Sequence, residues 1–536
     1  SLVEAGELGL GVADRFVGLR EANDTDPDFA MMQGLVGLMV ESNDDIDRIG
    51  ELIDAANADL AEIPPAAIRQ IREARDLVAD PLDTYLPLLE QYREADDVLP
   101  SLLGWGGQKR YLVLAQNPAE LRPAGGYTGT VGVIAFKDGA LTEQSFQDVY
   151  ELDLQRDLPF IEPPAELANH LLGTEQSWRL ADAAWSADFP TGARKAREFY
   201  QLEANDGDID GVIGITTFAL DRLLEVVGPV TVEEYGVTVE PGDATLTLLG
   251  VTRGTPTSVE GRKDILDDLA RTLVQRMLAL PAEQWVPMVD ALLDIGTQKM
   301  AVVWLEDEAA QDLIQEGGWG GTVSQAEGDY IYALEANMAP TSKYNLVVDR
   351  SASMVVKVSD EGDALDSLRL DWQNDAGKSG QLYRSLREFS NNQEGWYGAY
   401  LRLLVPQGSE LVTANGEASD KIRGSDQLPD DAGRSVFGNY LFMPPGGSTM
   451  SYLWTTPQAA VQTDEGWLYR LFVQKQPGAR PQPWSIRIDL PEGAEVLELP
   501  EGAQVDGERI LLETMLSTDL DLRVLYSLPD TAEAAG

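Results

Sequence analysis

The stretch that most constrains this chain runs from Tyr111 to Phe136: YLVLAQNPAELRPAGGYTGTVGVIAF. It opens on an apolar run, Tyr111 to Ala115, short enough for a buried strand, and closes on a second such run, Thr130 to Phe136. Between them lies a turn rich in special residues: Asn117, Pro118, Glu120, Arg122, Pro123, Gly125 and Gly126. Asn-Pro and Gly-Gly punctuate a backbone, and the two glycines permit positive φ or close approach by another group. Two strands joined by this loop imply a hairpin, with the loop held by its own Glu120–Arg122 pair. The same loop is a candidate site edge, because loops at strand ends on a rigid sheet are where binding residues concentrate.

The flanking chain changes character twice. Residues 1–104 read as a helical stalk or bundle. Apolar positions from Leu2 to Leu19 recur at helical spacing, a second run covers Met31 to Leu60, and a third covers Pro65 to Val98. Residues 105–300 alternate strands and helices. Gly139 marks a tight turn, a further strand is expected over Thr142–Leu152, and a helix over Gly192–Glu203. Asp210–Ile215 reads as a buried strand, and Thr217–Val227 as a helix stopped by Gly228-Pro229. Val230–Val232 and Val237–Val239 read as paired short strands, and a long amphipathic helix follows Gly261. This alternation predicts an α/β layer. From 301 to 530 helical periods fade. Short alternating runs such as Tyr344–Val348, Met354–Val358, Leu368–Trp372, Tyr400–Val405 and Leu468–Gln474 are separated by glycine and proline turns, which predicts one or two β-sandwich domains. Residues 531–536 read as a frayed tail. The expected fold class is therefore multidomain α+β.

Composition narrows the chemistry. The 536 residues carry a formal net charge of −50, spread along the chain. Such a charge repels nucleic acid and anionic lipid surfaces, and both are set aside as partners. Many carboxylates can take up Ca²⁺ weakly. There is no cysteine, which removes disulfides and thiolate chemistry, and a single histidine, His170, so a multi-histidine zinc site within one chain is excluded. His170 sits in the apolar patch LANHLLG and reads as a packing residue. No apolar stretch reaches membrane-spanning length. The chain begins at Ser1, which leaves room for an N-terminal segment removed or lying before it.

Two motifs resolve to plain structure. Asp349-Arg350-Ser351-Ala352-Ser353 has the D-x-S-x-S metal pattern of von Willebrand A domains, but the strand-like Val355–Ser359 follows where that fold needs a helix, so a hairpin is expected. Gly104–Gly107 and Gly317–Gly321 lack phosphate-loop spacing and read as turns that bury a tryptophan. Basic residues are scarce, so Arg122, Arg194, Lys195, Arg197, Arg253, Arg262 and Lys263 in the α/β segment stand out. Arginine forks match phosphate geometry, and convergence of these residues would create a positive pocket in an acidic protein.

RYLVLAQNPAELRPAGGYTG, AAWSADFPTGARKAREFY, DIDGVIGITTFALDRLLEVVGPVTV, EANMAPTSKYN and YRLFVQKQPGA resemble a bacterial envelope family, domain of unknown function four-zero-one-two. The resemblance spans residues 110 to about 530 and implies an extracytoplasmic protein of a bacterial cell surface. IDGVIGITTFALDRLLEVVGPVTV and GRKDILDDLARTLVQRM are more distantly similar to the LytR-CpsA-Psr phosphotransferases, which attach lipid-pyrophosphate-linked glycopolymers to cell walls. That similarity implies a LytR-CpsA-Psr-like α/β domain in which Arg122, Arg262 and Lys263 bind phosphates; Asn117, Gly125, Gly126 and Arg194, read from the loop and the basic residues themselves, complete the candidate substrate-binding set. It also implies that Glu120 and Asp188 help place a metal, Mg or Ca, or activate an acceptor hydroxyl. Two departures stand against activity: Asn117 occupies the place of an Asp, and Lys263-Asp264 that of an Arg-Gln pair. The expected function is thus binding or transfer of an envelope lipid-linked glycan. The alternative is a non-catalytic structural protein of a surface layer, sheath or filament that self-assembles.

Overall fold

The computed structural model describes residues 2–22, 30–61, 98–155, 157–254, 263–281, 284–338, 343–390, 392, 394–415, 417–418 and 425–529. Helices α1 (Leu2–Ala22) and α2 (Ala30–Ala61) form an antiparallel pair, with Arg48 reaching Glu4 and Arg15 reaching Asp45. The third expected helical run lies outside the described residues, save its end at α3 (Val98–Leu102).

The α/β layer is a five-stranded sheet. Its strands are β1 (Lys109–Asn117), β2 (Tyr127–Lys137), β3 (Ala140–Asp148), β4 (Gly211–Thr216) and β5 (Ala301–Leu305). The order is β3-β2-β1-β4-β5, with β1 parallel to β4 and every other pair antiparallel. The opening stretch is the expected hairpin, with Tyr111 opposite Ile134. Asp138 and Gly139 supply the left-handed turn into β3. The expected strand to Leu152 stops at Asp148, because the Asp148 carboxylate accepts the Tyr150 N–H and caps a short helix, α4 (Val149–Asp153).

Side-chain alternation gives the sheet two faces. Leu112, Leu114, Val131, Val133 and Val212 pack against α5 (Phe189–Ala204), whose Phe189, Ala193 and Ala196 are buried there. The other face carries Val113, Ala115, Phe146, Ile213 and Ile215. Part of that face, around Tyr111 and Phe136, is covered by α3 and by a later helix through Ala310 and Ile314. The rest faces three helices across a gap: α6 (Thr217–Val227), α7 (Ala244–Gly254) and α8 (Lys263–Leu278). α6 ends at Gly228 with φ 78°, as its glycine predicts.

Beyond the sheet the chain forms a single β-sandwich of two eight-stranded sheets. One runs in the order Glu417–Ala418, Glu410–Ala414, Gly446–Thr456, Ala364–Asn374, Val348–Val358, Gln482–Asp489, Arg509–Leu516, Gln504–Asp506. The other runs Ser425–Asp431, Arg434–Met443, Tyr397–Pro406, Asp329–Asn337, Gly466–Val473, Leu520–Ser527, Glu495–Glu498, with Ala460–Thr463 beside Gly466–Val473. Their inner faces interdigitate in one core that includes Trp372, Trp454 and Trp484.

The D-x-S-x-S segment lies in a regular hairpin, Val348–Val358 against Ala364–Asn374. Tyr344–Val347 is a 3-10 turn rather than the expected strand start, entered from Lys343 at φ 79°. Gly104–Gly107 does not bury its tryptophan, since Trp105 is 43% exposed. The glycine there serves close approach: a Cβ on Gly104 would lie 2.3 Å from the Phe136 carbonyl oxygen. His170 packs as expected, stacked on Tyr400 at 4.4 Å between ring centroids.

Candidate functional site

The loop between β1 and β2 is built from inside and gripped from outside. Asn117 caps a 3-10 turn at Pro118–Glu120 by accepting the Ala119 N–H at 3.0 Å. The sandwich supplies the grip. The Leu121 N–H donates to Asn337 Oδ1 at 2.7 Å, and the Asn337 N–H donates back to the Leu121 carbonyl at 2.9 Å. The Asn345 amide donates to the Pro118 carbonyl and the Gln476 amide to the Arg122 carbonyl, at 2.8 and 3.0 Å. Gly125 and Gly126 allow contact on both sides. A Cβ on Gly126 would fall 2.4 Å from the Asn117 carbonyl oxygen, and one on Gly478 would fall 2.0 Å from that of Gly125. EANMAPTSKYN and YRLFVQKQPGA, singled out in the sequence, are the segments that carry Asn337, Asn345 and Gln476.

The expected Glu120–Arg122 pair does not form. Glu120 meets Lys343 of the sandwich, and Arg122 Nε donates to Asp182 at 3.3 Å while its Nη1 donates to the Asn337 carbonyl at 2.9 Å. Both side chains are nearly buried, and their partners lie far along the chain, so local spacing could not reveal them. Arg122 also lies over the Tyr127 ring.

These residues border a cavity of about 1440 Å³ between the second face of the sheet and α6–α8. That exceeds the roughly 300–1,000 Å³ of ordinary small-molecule sites. Val113, Ala115, Ile134, Phe146, Ile213 and Ile215 form its floor. Leu220 and Leu223 of α6, Leu248 and Leu249 of α7, and Leu266, Leu269 and Leu273 of α8 form its roof. The gap persists because α8 is tethered at the sheet edge, where the Gln144 amide donates to the Asp267 carbonyl at 2.9 Å.

The cavity is polar at one end only. β1, β3 and β4 all finish there and β2 starts there, so the loops after three strands converge. Ligands of open α/β sheets bind outside the carboxyl ends of strands. Gln116, Asn117, Glu120, Arg122, Asp153, Arg179, Asp182 and Lys343 line this end. Burial pushes the Asp153 carboxyl up, and burial beside Asp153 pushes the Glu203 carboxyl up to about 8. Burial holds the Lys343 ammonium down to about 8.

The structure thus brings together Asn117, Glu120 and Arg122, with Gly125 and Gly126 shaping the loop. It does not bring Asp188 or Arg194 to the cavity. Asp188 caps α5 on the opposite face of the sheet, accepting from Thr191, and ties that helix to the Val323 N–H. Arg194 bonds Thr191 and lies over Trp304 on that same side. Arg262 lies outside the described residues; Lys263 begins α8. Asp153, Arg179, Asp182 and Lys343 were missed, since their spacing in sequence gives no sign that they meet. A metal at Glu120 fits poorly, because Lys343 already holds that carboxylate and Arg122 holds Asp182. Among the described residues no three acidic or histidine side chains gather as metal ligands, and no helix is long and apolar enough to cross a membrane.

Residues 106–250 match a family model described as "Protein of unknown function (DUF4012)". This segment is similar to that family over about a quarter of the chain. It holds β1 to β4, the gripped loop and most of the cavity floor, while the sandwich and α8 lie beyond it. No curated protein is similar to the chain. Among solved structures, protein gbs0355 of Streptococcus agalactiae is similar at 14% identity and TM-score 0.25, over 40% of this chain and 74% of that one. An M1 zinc metallopeptidase of Deinococcus radiodurans is similar at 11% identity and TM-score 0.19, over 33% of this chain and 42% of that one. Likenesses this low establish neither a shared fold nor a shared activity.

Proposed function

We propose that the α/β domain holds a lipid-linked glycan of the bacterial cell envelope, outside the cytoplasm, with the lipid chain in the cavity and the anionic linkage at its polar end. The cavity carries this reading. Its leucine, isoleucine and phenylalanine walls, left uncovered by the described residues, favour a hydrocarbon chain over water. A lipid that also carries an anion is matched to the polar end by Arg122, Arg179 and Lys343, which stand there among Glu120, Asp182 and an Asp153 whose carboxyl burial pushes up. The envelope location is part of the proposal, carried over from the resemblance read in the sequence. Holding is favoured over transfer, because Glu120 is neutralised by Lys343 and Asp188 stands on the other face of the sheet.

The test is extraction of the purified chain with organic solvent and mass spectrometry of the bound lipid, together with calorimetric titration of a polyprenyl phosphate. Ala115 faces the cavity from β1, so Ala115→Phe adds a ring to open space rather than to packed core. The expected result is co-purified lipid, with affinity for the polyprenyl phosphate reduced at least about tenfold in Ala115→Phe at an unchanged melting temperature. A well-folded wild type that carries no lipid and binds none ends this reading.

A further inference from the structure

We propose that Lys343, contributed by the β-sandwich, is the residue that binds the anionic head of the lipid, so that the site is complete only when both domains are present. This deepens the reading above and rests on it.

Three described cations line the polar end, Arg122, Arg179 and Lys343, and Lys343 is the one that the sandwich supplies. Arg122 gives Nε to Asp182 and Nη1 to two backbone carbonyls, those of Leu121 and Asn337. Arg179 gives Nη1 to the carbonyls of Pro159 and Trp178. Lys343 has one partner among the described residues, Glu120. An ammonium carries three donors, so among the described residues two are left over, while Glu120 offsets part of the cost of burying the charge.

The backbone makes the second argument. Lys343 sits at φ 79°, a left-handed conformation suited to glycine or asparagine, and is only 7% exposed. A long, charged side chain is the wrong choice there for folding alone, and strain of this kind gathers at binding sites. The placement is firm. The loop carrying Glu120 is bonded to the sandwich through Asn337, Asn345 and Gln476, and Asn345 lies two residues past Lys343. The ligand is therefore a long-chain lipid with an anionic head, which a phosphate or a carboxylate can supply.

The experiment titrates the full chain by calorimetry with a polyprenyl phosphate, a long-chain fatty acid and the uncharged polyprenol. The wild type is expected to bind at least one anionic lipid about tenfold or more tightly than polyprenol, as charge-assisted hydrogen bonds predict. The preferred anion identifies the head. Lys343→Met should abolish that preference and leave polyprenol affinity unchanged, and Lys343→Arg should restore it. Lys343→Gly relieves the left-handed backbone, so it should still fold and still lose the preference. Equal wild-type affinity for charged and uncharged lipids overturns the proposal, as does a preference that survives both Lys343→Met and Lys343→Gly. A wild type that binds none of the three overturns the lipid reading of the cavity itself.

Discussion

Replacing Asp366 by asparagine should make the sandwich more stable at neutral pH, although it removes a charged group from a hydrogen-bonded site. Asp329 and Asp366 lie on facing sheets, each fully buried, and a proton on either carboxyl lets the pair share a hydrogen bond. Tyr469 O–H donates to Asp329 at 2.8 Å, the Tyr330 N–H donates to it at 2.8 Å, and Thr456 O–H donates to Asp366 at 2.6 Å. Among the described residues no cation is bonded to either carboxyl. Burial raises Asp329 to about 6 and holds Asp366 well above the usual carboxylate range. Both folded values exceed the unfolded value near 3.9. The stability these protons confer is thus complete below about pH 4 and is lost as pH rises through the folded values. Each group loses about 1.4 kcal/mol per pH unit in that window, and an amide at 366 would recover the share that belongs to Asp366. An amide at 366 cannot ionise, still donates toward Asp329 and still accepts from Thr456. Denaturant unfolding followed by fluorescence of the buried Trp372, Trp454 and Trp484 reads the sandwich directly. Asp366→Asn should match the wild type near pH 4 and exceed it by a margin that grows by about 1.4 kcal/mol per pH unit as pH rises above 4. An equal difference at pH 4 and pH 8, or a loss at pH 8, would refute the shared-proton account.

Two further outcomes follow from buried contacts. Arg350 forms a two-pronged pair with Glu335 at 2.8 and 3.0 Å, and Glu335 also accepts from Trp372 and Tyr397. Arg350→Met should cost about 3–5 kcal/mol in chemical unfolding by stranding that carboxylate, and adding Glu335→Gln should recover part of the loss. Gly478→Ala places a methyl against the Gly125 carbonyl, so calorimetry should show the α/β domain and the sandwich melting separately, with earlier proteolysis between them.

The sequence made the local elements legible. The Tyr111–Phe136 hairpin, the Asp138-Gly139 turn, the Thr217–Val227 helix with its glycine stop and the alternating strands of the tail are all present. Each depends on periodicity or turn chemistry within about a dozen residues. The site was only partly legible. Asn117, Glu120 and Arg122 were singled out, yet their partners Lys343 and Asp182 lie far along the chain. Asp188 drew attention as an acid, but an Asp ahead of Phe-Pro-Thr is first of all a helix cap. The cavity was invisible because no residue marks a void. The leucines of α8 follow the same period whether they meet a neighbour or a gap.

The strand order of the sandwich also sets a timetable. Asp329–Asn337 is held in its sheet by a parallel partner, Gly466–Val473, and Val348–Val358 by another, Gln482–Asp489. Each waits for more than a hundred residues of later chain, and such distant pairings form slowly. The α/β strands, by contrast, are all made by residue 305. A growing chain would complete the apolar chamber first and receive Asn337, Lys343 and Gln476 at its polar mouth only after the last strands are released from the ribosome. The protein would spend the end of its synthesis with a greasy, unclosed chamber, which makes that interval its point of greatest exposure to aggregation.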